Sequence, residues 1–119
     1  MIIPSLAGFT GFVPPYGSGS NGVLLLGEAP GEMEAKFSVP FHPYAPAGAC
    51  LERVLRRVGV RREQFTISNV VWAQPPNNWL EGAPYEAEAV EAYRPLLNDL
   101  IARTKPRVIV PMGNVALRR

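Results

Sequence analysis

The hydrophobic positions of this chain alternate between short continuous runs and helical repeats. Residues 23–26 form an uninterrupted apolar run that stops at a glycine, which predicts a strand buried on both faces and central in a sheet. Apolar residues recur at helical spacing in residues 48–59 and 85–104, and each repeat predicts an amphipathic helix. Apolar runs at residues 65–71 and 107–110 predict two further strands.

Proline and glycine divide these elements. Pro95 interrupts the second helical repeat, so it either kinks one helix or lies in the first turn of another. Gly113 and Asn114 open a further helix near the end of the sequence. Residues 1–22 are rich in both breakers and predict an irregular N-terminal lead-in.

The order strand, helix, strand, helix, strand predicts an α/β fold with a parallel sheet covered by helices. Ligands in such sheets bind at the carboxyl ends of the strands. Those ends correspond here to residues 27–31, 69–76 and 111–114. The pattern alone therefore indicates three loops where a site would form.

Composition fits one small domain in a reducing compartment. The chain has 119 residues, 47% of them hydrophobic, a formal net charge of +2 and one cysteine, Cys50. One cysteine cannot form an internal disulfide or ligate a metal or iron–sulfur cluster by itself. No secretory signal is recognisable, and no apolar stretch reaches the roughly 20 residues of a membrane span. We therefore expect a cytoplasmic protein.

Basic residues cluster in the segment 53–62 and near the end of the sequence. A solvated helix face and a polar tail explain this distribution, while a nucleic-acid surface is the alternative. The clustered arginines of the first segment are Arg53, Arg56, Arg57, Arg61 and Arg62. Charge alone does not separate the two interpretations.

The first strand-end loop combines two glycines with the carboxylate of Glu28. It lacks the Gly-Lys-Ser/Thr ending of a phosphate loop and the glycine spacing of a dinucleotide site. Glu28 could act in a site or cap the next helix.

Asn69, at the end of the second strand, could read the edge of a base or bond to a neighbouring loop. Phe41 could stack on a planar ligand or cover the core, and a catalytic or metal role for His42 lacks partner residues.

Five pieces carry a family resemblance, and together they span residues 23–116. They are Gly27-Glu28-Ala29-Pro30-Gly31 with Glu34, Pro40-Phe41, Ser68-Asn69-Val70-Val71, Pro75-Pro76-Asn77, and Val108-Ile109-Val110 with Gly113 and Ala116. In this order and spacing they resemble family 4 of the uracil-DNA glycosylase superfamily. The resemblance implies a three-layer α/β/α sandwich with a short parallel sheet, and an enzyme that excises uracil from DNA.

The resemblance also implies roles for the matching positions. Glu28 would be the catalytic carboxylate, which orients water or stabilises the sugar cation. Phe41 would stack on a flipped-out uracil, and Asn69 would accept a hydrogen bond from uracil N3–H and donate one to O4. Glu34 would block the thymine methyl group, and the backbone of the first loop would hold the base and phosphates. The implied substrate-binding residues are Gly27, Ala29, Pro30, Gly31, Glu34, Phe41 and Asn69.

Two features of that family have no counterpart here. Family 4 enzymes bind a four-iron, four-sulfur cluster through four cysteines, but two of those positions are Ala73 and Tyr93 and the N-terminal pair is absent. We therefore expect no cofactor, with packing around Trp72, Ala73 and Tyr93 in its place. The family's His-Pro-Ser motif, after a fourth strand, lies beyond Arg119. Residues 23–119 thus correspond to a domain that lacks its last strand and is incomplete at the C-terminus, and its activity would be impaired by truncation.

The leading hypothesis is a uracil-DNA glycosylase-like domain that hydrolyses the N-glycosidic bond of uracil in DNA. The alternative is a non-catalytic DNA- or nucleotide-binding module on the same scaffold. A third reading is an unrelated α/β protein whose loops match by chance. The expected partner is uracil-containing DNA, with no metal and no membrane, and the expected state is a monomer.

Overall fold

The structure, a computed structural model, describes residues 3–118, in which three short strands form one sheet. The strands are β1 (Val23–Gly27), β2 (Thr66–Asn69) and β3 (Val108–Pro111), in the spatial order β2-β1-β3. β1 pairs in parallel with both neighbours. The predictions of an α/β fold with a parallel sheet and a central first strand are therefore confirmed.

The helices lie in the connections and after the last strand. They are α1 (Glu32–Phe37), α2 (Pro46–Val58), α3 (Glu86–Thr104) and α4 (Asn114–Arg118), with short 3-10 helices at Arg62–Gln64 and Pro76–Asn78. α2 begins earlier than residue 48 because Pro46, which lacks an N–H group, is well suited to the first helical turn. α3 continues through Pro95, so the alternative of a second helix there is wrong. None of the helices within residues 3–118 combines the length and apolar composition that crossing a bilayer requires.

One face of the sheet carries the main hydrophobic core. Successive strand residues point to opposite faces, and Leu24 and Leu26 of β1 share a face that packs against α3 and α4. Trp72, Ala73 and Tyr93 lie in the same cluster, each at most 3% exposed. The prediction that these three residues pack together in the core is confirmed.

The residues that end β1 and β2 lie on the opposite face of the sheet. Leu25 of β1 and Ile67 of β2 are buried on this side, outside the main cluster. Gly27 and Asn69 follow them at the same alternation and are register partners. The two residues that end β1 and β2 therefore lie side by side.

The two edges of the sheet differ. Tyr16 of the lead-in exchanges both backbone hydrogen bonds with Ile67 of β2, at 2.9 and 2.8 Å, and Val13 is buried. All residues of β3 are exposed, and no strand within residues 3–118 pairs with its outer edge. The lead-in is irregular, as predicted, but packs along β2. A domain boundary at residue 22 stays a prediction.

Candidate functional site

A cavity of about 350 Å³ opens at the carboxyl ends of β1 and β2. It is lined by Glu28, Ala29, Pro30, Gly31, Glu34, Phe41, Ala45, Pro46, Ala47, Asn69 and Met112. Every residue predicted from the sequence for the site lines this cavity, except Gly27. Loops that are far apart in the chain thus converge on one place.

Gly27 is approached closely by two side chains that line the cavity. A Cβ atom at this position would lie 2.5 Å from Cζ of Phe41 and 2.6 Å from Oδ1 of Asn69. Both distances are too short for any side chain, so the ring edge and the amide oxygen both lie close to the bare backbone of Gly27. Gly27 therefore shapes the site without lining it.

The end of β2 is fixed by hydrogen bonds on both sides. The Trp72 indole N–H donates to the backbone carbonyl of Asn69 at 2.8 Å. The N–H groups of Val70 and Val71 donate to the carbonyls of Gly27 and Glu28, at 2.9 and 3.1 Å. The strand itself, Thr66–Asn69, is shorter than the predicted residues 65–71, although Val70 and Val71 still bond to the end of β1 and the residue after it.

The side chain of Asn69 faces the cavity. The residue is 3% exposed, and no hydrogen bond within residues 3–118 involves its side-chain amide. The alternative in which this amide bonds to a neighbouring loop is therefore not what the structure shows. A carbonyl and an NH₂ group remain to pair with a ligand.

Phe41 reaches the cavity from a tight turn that precedes α2. Its backbone has φ +51°, a left-handed conformation that is uncommon for a residue with a side chain. α2 packs directly on the turn, because a Cβ atom at Gly48 would lie 1.8 Å from the His42 carbonyl oxygen. The ring of Phe41 lines the cavity.

Glu34 joins α1 to this turn. Its carboxylate accepts hydrogen bonds from the N–H groups of Gly31, at 2.9 Å, and His42, at 3.2 Å. The side chain is 7% exposed and is thus fixed at one side of the cavity. Gly31 is the N-cap of α1, so Glu28 does not cap that helix.

Glu28 lies among acidic neighbours. Burial raises the pKa of the Glu28 carboxyl above its usual value, and the negative charges of Glu81 and Glu86 raise it further. The backbone amide of Glu81 and the guanidinium of Arg118 partly offset this rise. Arg118 itself pairs with both acids, at 3.7 Å from Glu81 and 3.3 Å from Glu86. Glu28 is therefore a half-buried carboxylate with an unfavourable charge, which is common among reactive groups.

Sequence reasoning missed four residues that line the cavity. Ala45, Pro46 and Ala47 come from the start of α2, and Met112 follows β3. The predicted strand-end loop at residues 111–114 does contain Met112. The Met112 N–H donates to the Leu26 carbonyl at 2.8 Å. None of the four has a side chain with distinctive chemistry, so no signal singled them out.

The residues present do not fit an iron–sulfur cluster. Ala73 and Tyr93 carry no thiolate, and the single cysteine, Cys50, lies exposed on α2. The ring Nδ1 of His42 accepts a hydrogen bond from the Tyr44 N–H at 3.1 Å. Within residues 3–118 no three histidine, cysteine or acidic side chains are grouped so that they could hold a metal ion.

Comparison with known proteins agrees with this geometry. The model of the uracil DNA glycosylase superfamily matches residues 14–119. A type-4 uracil-DNA glycosylase of Pyrobaculum aerophilum is 40% identical over 106 residues, which are 89% of this chain and 51% of that protein. The type-4 enzyme of Archaeoglobus fulgidus is 37% identical over 90% of this chain and 51% of its own length. That of Thermotoga maritima is 37% identical over 91% and 53%.

A small α/β domain with a cavity at its strand ends defines the class, and the family match makes it specific. This chain belongs to the uracil-DNA glycosylase superfamily. The chain spans about half the length of the curated relatives it matches.

Proposed function

We propose that this chain recognises a flipped-out uracil in DNA and hydrolyses its N-glycosidic bond. One observation carries the proposal: Glu28, Phe41 and Asn69, from three separate loops, line one cavity. The names of the similar proteins, type-4 uracil-DNA glycosylases, support the same activity. The proposal includes uracil-containing DNA as the partner, a monomeric chain and a cytoplasmic location.

Recognition follows from the amide of Asn69 and the ring of Phe41. The ring would pack on the face of the base, while the amide carbonyl accepts from N3–H and the NH₂ group donates to O4. Cytosine presents the opposite pattern at these two positions. It would leave buried polar groups unpaired, at a cost of about 1–3 kcal/mol each. The pocket would therefore select uracil over cytosine.

Glu34 is the proposed barrier to thymine. Thymine differs from uracil by a methyl group, and a buried carboxylate fixed by two N–H donors cannot move aside without losing both bonds. An apolar methyl group placed against this carboxylate would also desolvate it. Exclusion of thymine protects normal DNA.

Glu28 supplies the charge that the reaction needs. As the bond between C1′ and the base lengthens, positive charge develops on the sugar and the bonding electron pair leaves with the base. An ionised Glu28 stabilises that cation and orients a water molecule towards C1′. The water oxygen bonds to C1′, and its released proton balances the charge of the departing base. Uracil and an abasic site result.

The test uses a single-stranded oligonucleotide with one uracil, followed by alkaline cleavage of abasic sites. We expect the parent protein to produce strand breaks at the uracil. We expect the Glu28→Gln variant to produce none. An oligonucleotide with cytosine at the same position is the control for base selectivity. Tight, uracil-dependent binding without any abasic site would favour the alternative, a non-catalytic binding module. Equal binding of both oligonucleotides, without cleavage, would contradict the proposal.

A further inference from the structure

Arg62 contacts the turn that carries Phe41, although it does not line the cavity. Its Nη2 donates to the carbonyl of Pro40 at 2.6 Å, and its Nη1 donates to the carbonyl of Phe41 at 2.8 Å. The side chain is 8% exposed. One buried guanidinium therefore binds the two consecutive backbone carbonyls that flank the Cα atom of Phe41.

The conformation of the turn explains why it needs such support. Phe41 has a positive φ, and the strain of a residue held in this region must be opposed by its surroundings. Its ring, moreover, has to fit between Gly27 and the cavity, where the approach is very close. A small change at this backbone would move the ring out of its place.

Two further groups hold the guanidinium itself. Oε1 of Glu52 in α2 lies 3.1 Å from Nη1, and the ring of Tyr16 in the lead-in lies 5.0 Å from Cζ. Arg62 is thus paired with an opposite charge and covered by an aromatic face. These contacts fix the direction of the fork, which a flexible ammonium group could not reproduce.

We propose that Arg62 is a positioning residue, which holds the Pro40–Phe41 turn in its strained conformation and so keeps the Phe41 ring in place to stack on a base. The consequence for uracil binding rests on the proposed function. The effect of Arg62 on the conformation of the Pro40–Phe41 turn does not depend on that function. Arg62 acts through Phe41 and does not touch the ligand.

A double-mutant cycle tests this coupling. Affinity for the uracil oligonucleotide is measured in the Glu28→Gln background, which leaves the substrate intact, for Arg62→Lys, Phe41→Ala and the pair. We expect Arg62→Lys to weaken binding about tenfold, as the loss of a charged hydrogen bond would. In the Phe41→Ala background the same change should have no further effect, because contacting residues are not additive. Equal losses in both backgrounds would overturn the proposal.

Arg61→Lys is the matched control, since it makes the same substitution at the neighbouring position. Arg61 is 79% exposed and its only ion pair within residues 3–118 is a 3.7 Å contact with Glu63. In the Glu28→Gln background, Arg61→Lys should leave the affinity for the uracil oligonucleotide unchanged. If Arg62→Lys fails to fold, Glu52→Gln replaces it, because it releases the guanidinium from its anchor. It should show a smaller loss that also disappears without Phe41, and an unchanged affinity would count against the proposal.

Amide hydrogen exchange separates this inference from the proposed function. The N–H groups of His42 and Ala45 bond to Glu34 and to the His42 carbonyl, so their exchange rates report the geometry of the turn. We expect Arg62→Lys to accelerate exchange at these two amides and to leave α3 unchanged. This result would hold even if the parent protein did not discriminate uracil from cytosine. Unchanged exchange at both amides would overturn the inference.

Discussion

The two walls of the cavity are stabilised in opposite ways. The recognition wall, formed by Glu34, Phe41 and Asn69, is held by hydrogen bonds and close packing over Gly27. The acidic wall, formed by Glu28 with Glu81 behind it, brings carboxylates together and raises the pKa of Glu28. One wall is held in a fixed geometry and the other is electrostatically unfavourable.

This difference matches the different demands of the proposed base recognition and the proposed bond cleavage. Reading a base requires donors and acceptors that do not move, because selectivity comes from unpaired groups in the wrong complex. Stabilising a transient cation requires a negative charge that is poorly compensated before the reaction. In the proposed reaction, the poorly compensated negative charge of Glu28 is the feature that stabilises the developing cation.

The largest expected effect comes from removing the charge of the acidic wall. Glu28→Gln should lower the rate of uracil release by about 10²–10⁴, the range for a catalytic carboxylate. The same substitution should not lower the stability of the fold. A folded-state pKa above the unfolded value means that ionised Glu28 destabilises the fold once the pH rises through the folded-state pKa. The neutral amide should therefore unfold at an equal or higher temperature at neutral pH.

Glu32→Gln provides the matched control for this variant. Glu32 is an exposed acid in the first turn of α1, close to Glu28 in the sequence but not a lining residue of the cavity. Abasic-site formation should keep its parental rate, while thermal unfolding shows whether either variant disturbs the fold. A large rate loss in Glu32→Gln would mean that net charge, rather than the position of Glu28, controls the reaction.

The next effect is expected where the recognition wall reads the base. Asn69→Ala removes both polar groups that pair with uracil, each worth about 1–3 kcal/mol when left unpaired. Preference for uracil over cytosine should fall by about 10- to 100-fold, as measured by competition between the two oligonucleotides. Asn98→Ala, at an exposed position of α3, should leave it intact. A retained preference in Asn69→Ala would show that another group reads the base edge.

Gly27→Ala disturbs both halves of the recognition wall without removing a polar group. The added Cβ atom would displace the Phe41 ring and the Asn69 amide, and overpacking of this kind costs about 1–3 kcal/mol. We expect uracil affinity to fall about tenfold. Gly82→Ala is the comparison, because it adds backbone strain at φ +81° in open space. If Gly82→Ala weakened uracil binding as much, general strain would explain the loss.

The sequence predicted the scaffold well because its elements carry strong local signals. The apolar run of β1 and the helical repeat of α3 depend on burial, which hydrophobic patterning reports directly. Loop chemistry also made Glu28 and Asn69 candidates, but it left a helix cap and a bond to a neighbouring loop as the alternatives. The family resemblance then gave each of them a role.

The sequence could not predict contacts between residues that are far apart in the chain. Arg62 stands in a run of arginines, and the interpretation of that run as a solvated face holds for Arg53, Arg56, Arg57 and Arg61, which are exposed. It is wrong for Arg62, whose burial depends on Glu52, Tyr16 and two carbonyls from a distant turn. Nothing in the local pattern distinguishes one arginine of the run from the next.

The smallest effect is expected from an acidic neighbour of Glu28. Glu81→Gln removes a negative charge that raises the pKa of Glu28, while the backbone amide of residue 81 stays in place. The pKa of Glu28 should therefore fall, and the rise of the cleavage rate with pH should move to lower pH. A carboxyl NMR titration of Glu28 measures the same shift without depending on activity. Glu88→Gln, an exposed change on α3 that does not perturb Glu28, should leave the titration unaltered. An unchanged pKa in Glu81→Gln would mean that the charge of Glu81 does not contribute, and that burial and Glu86 account for the raised pKa of Glu28.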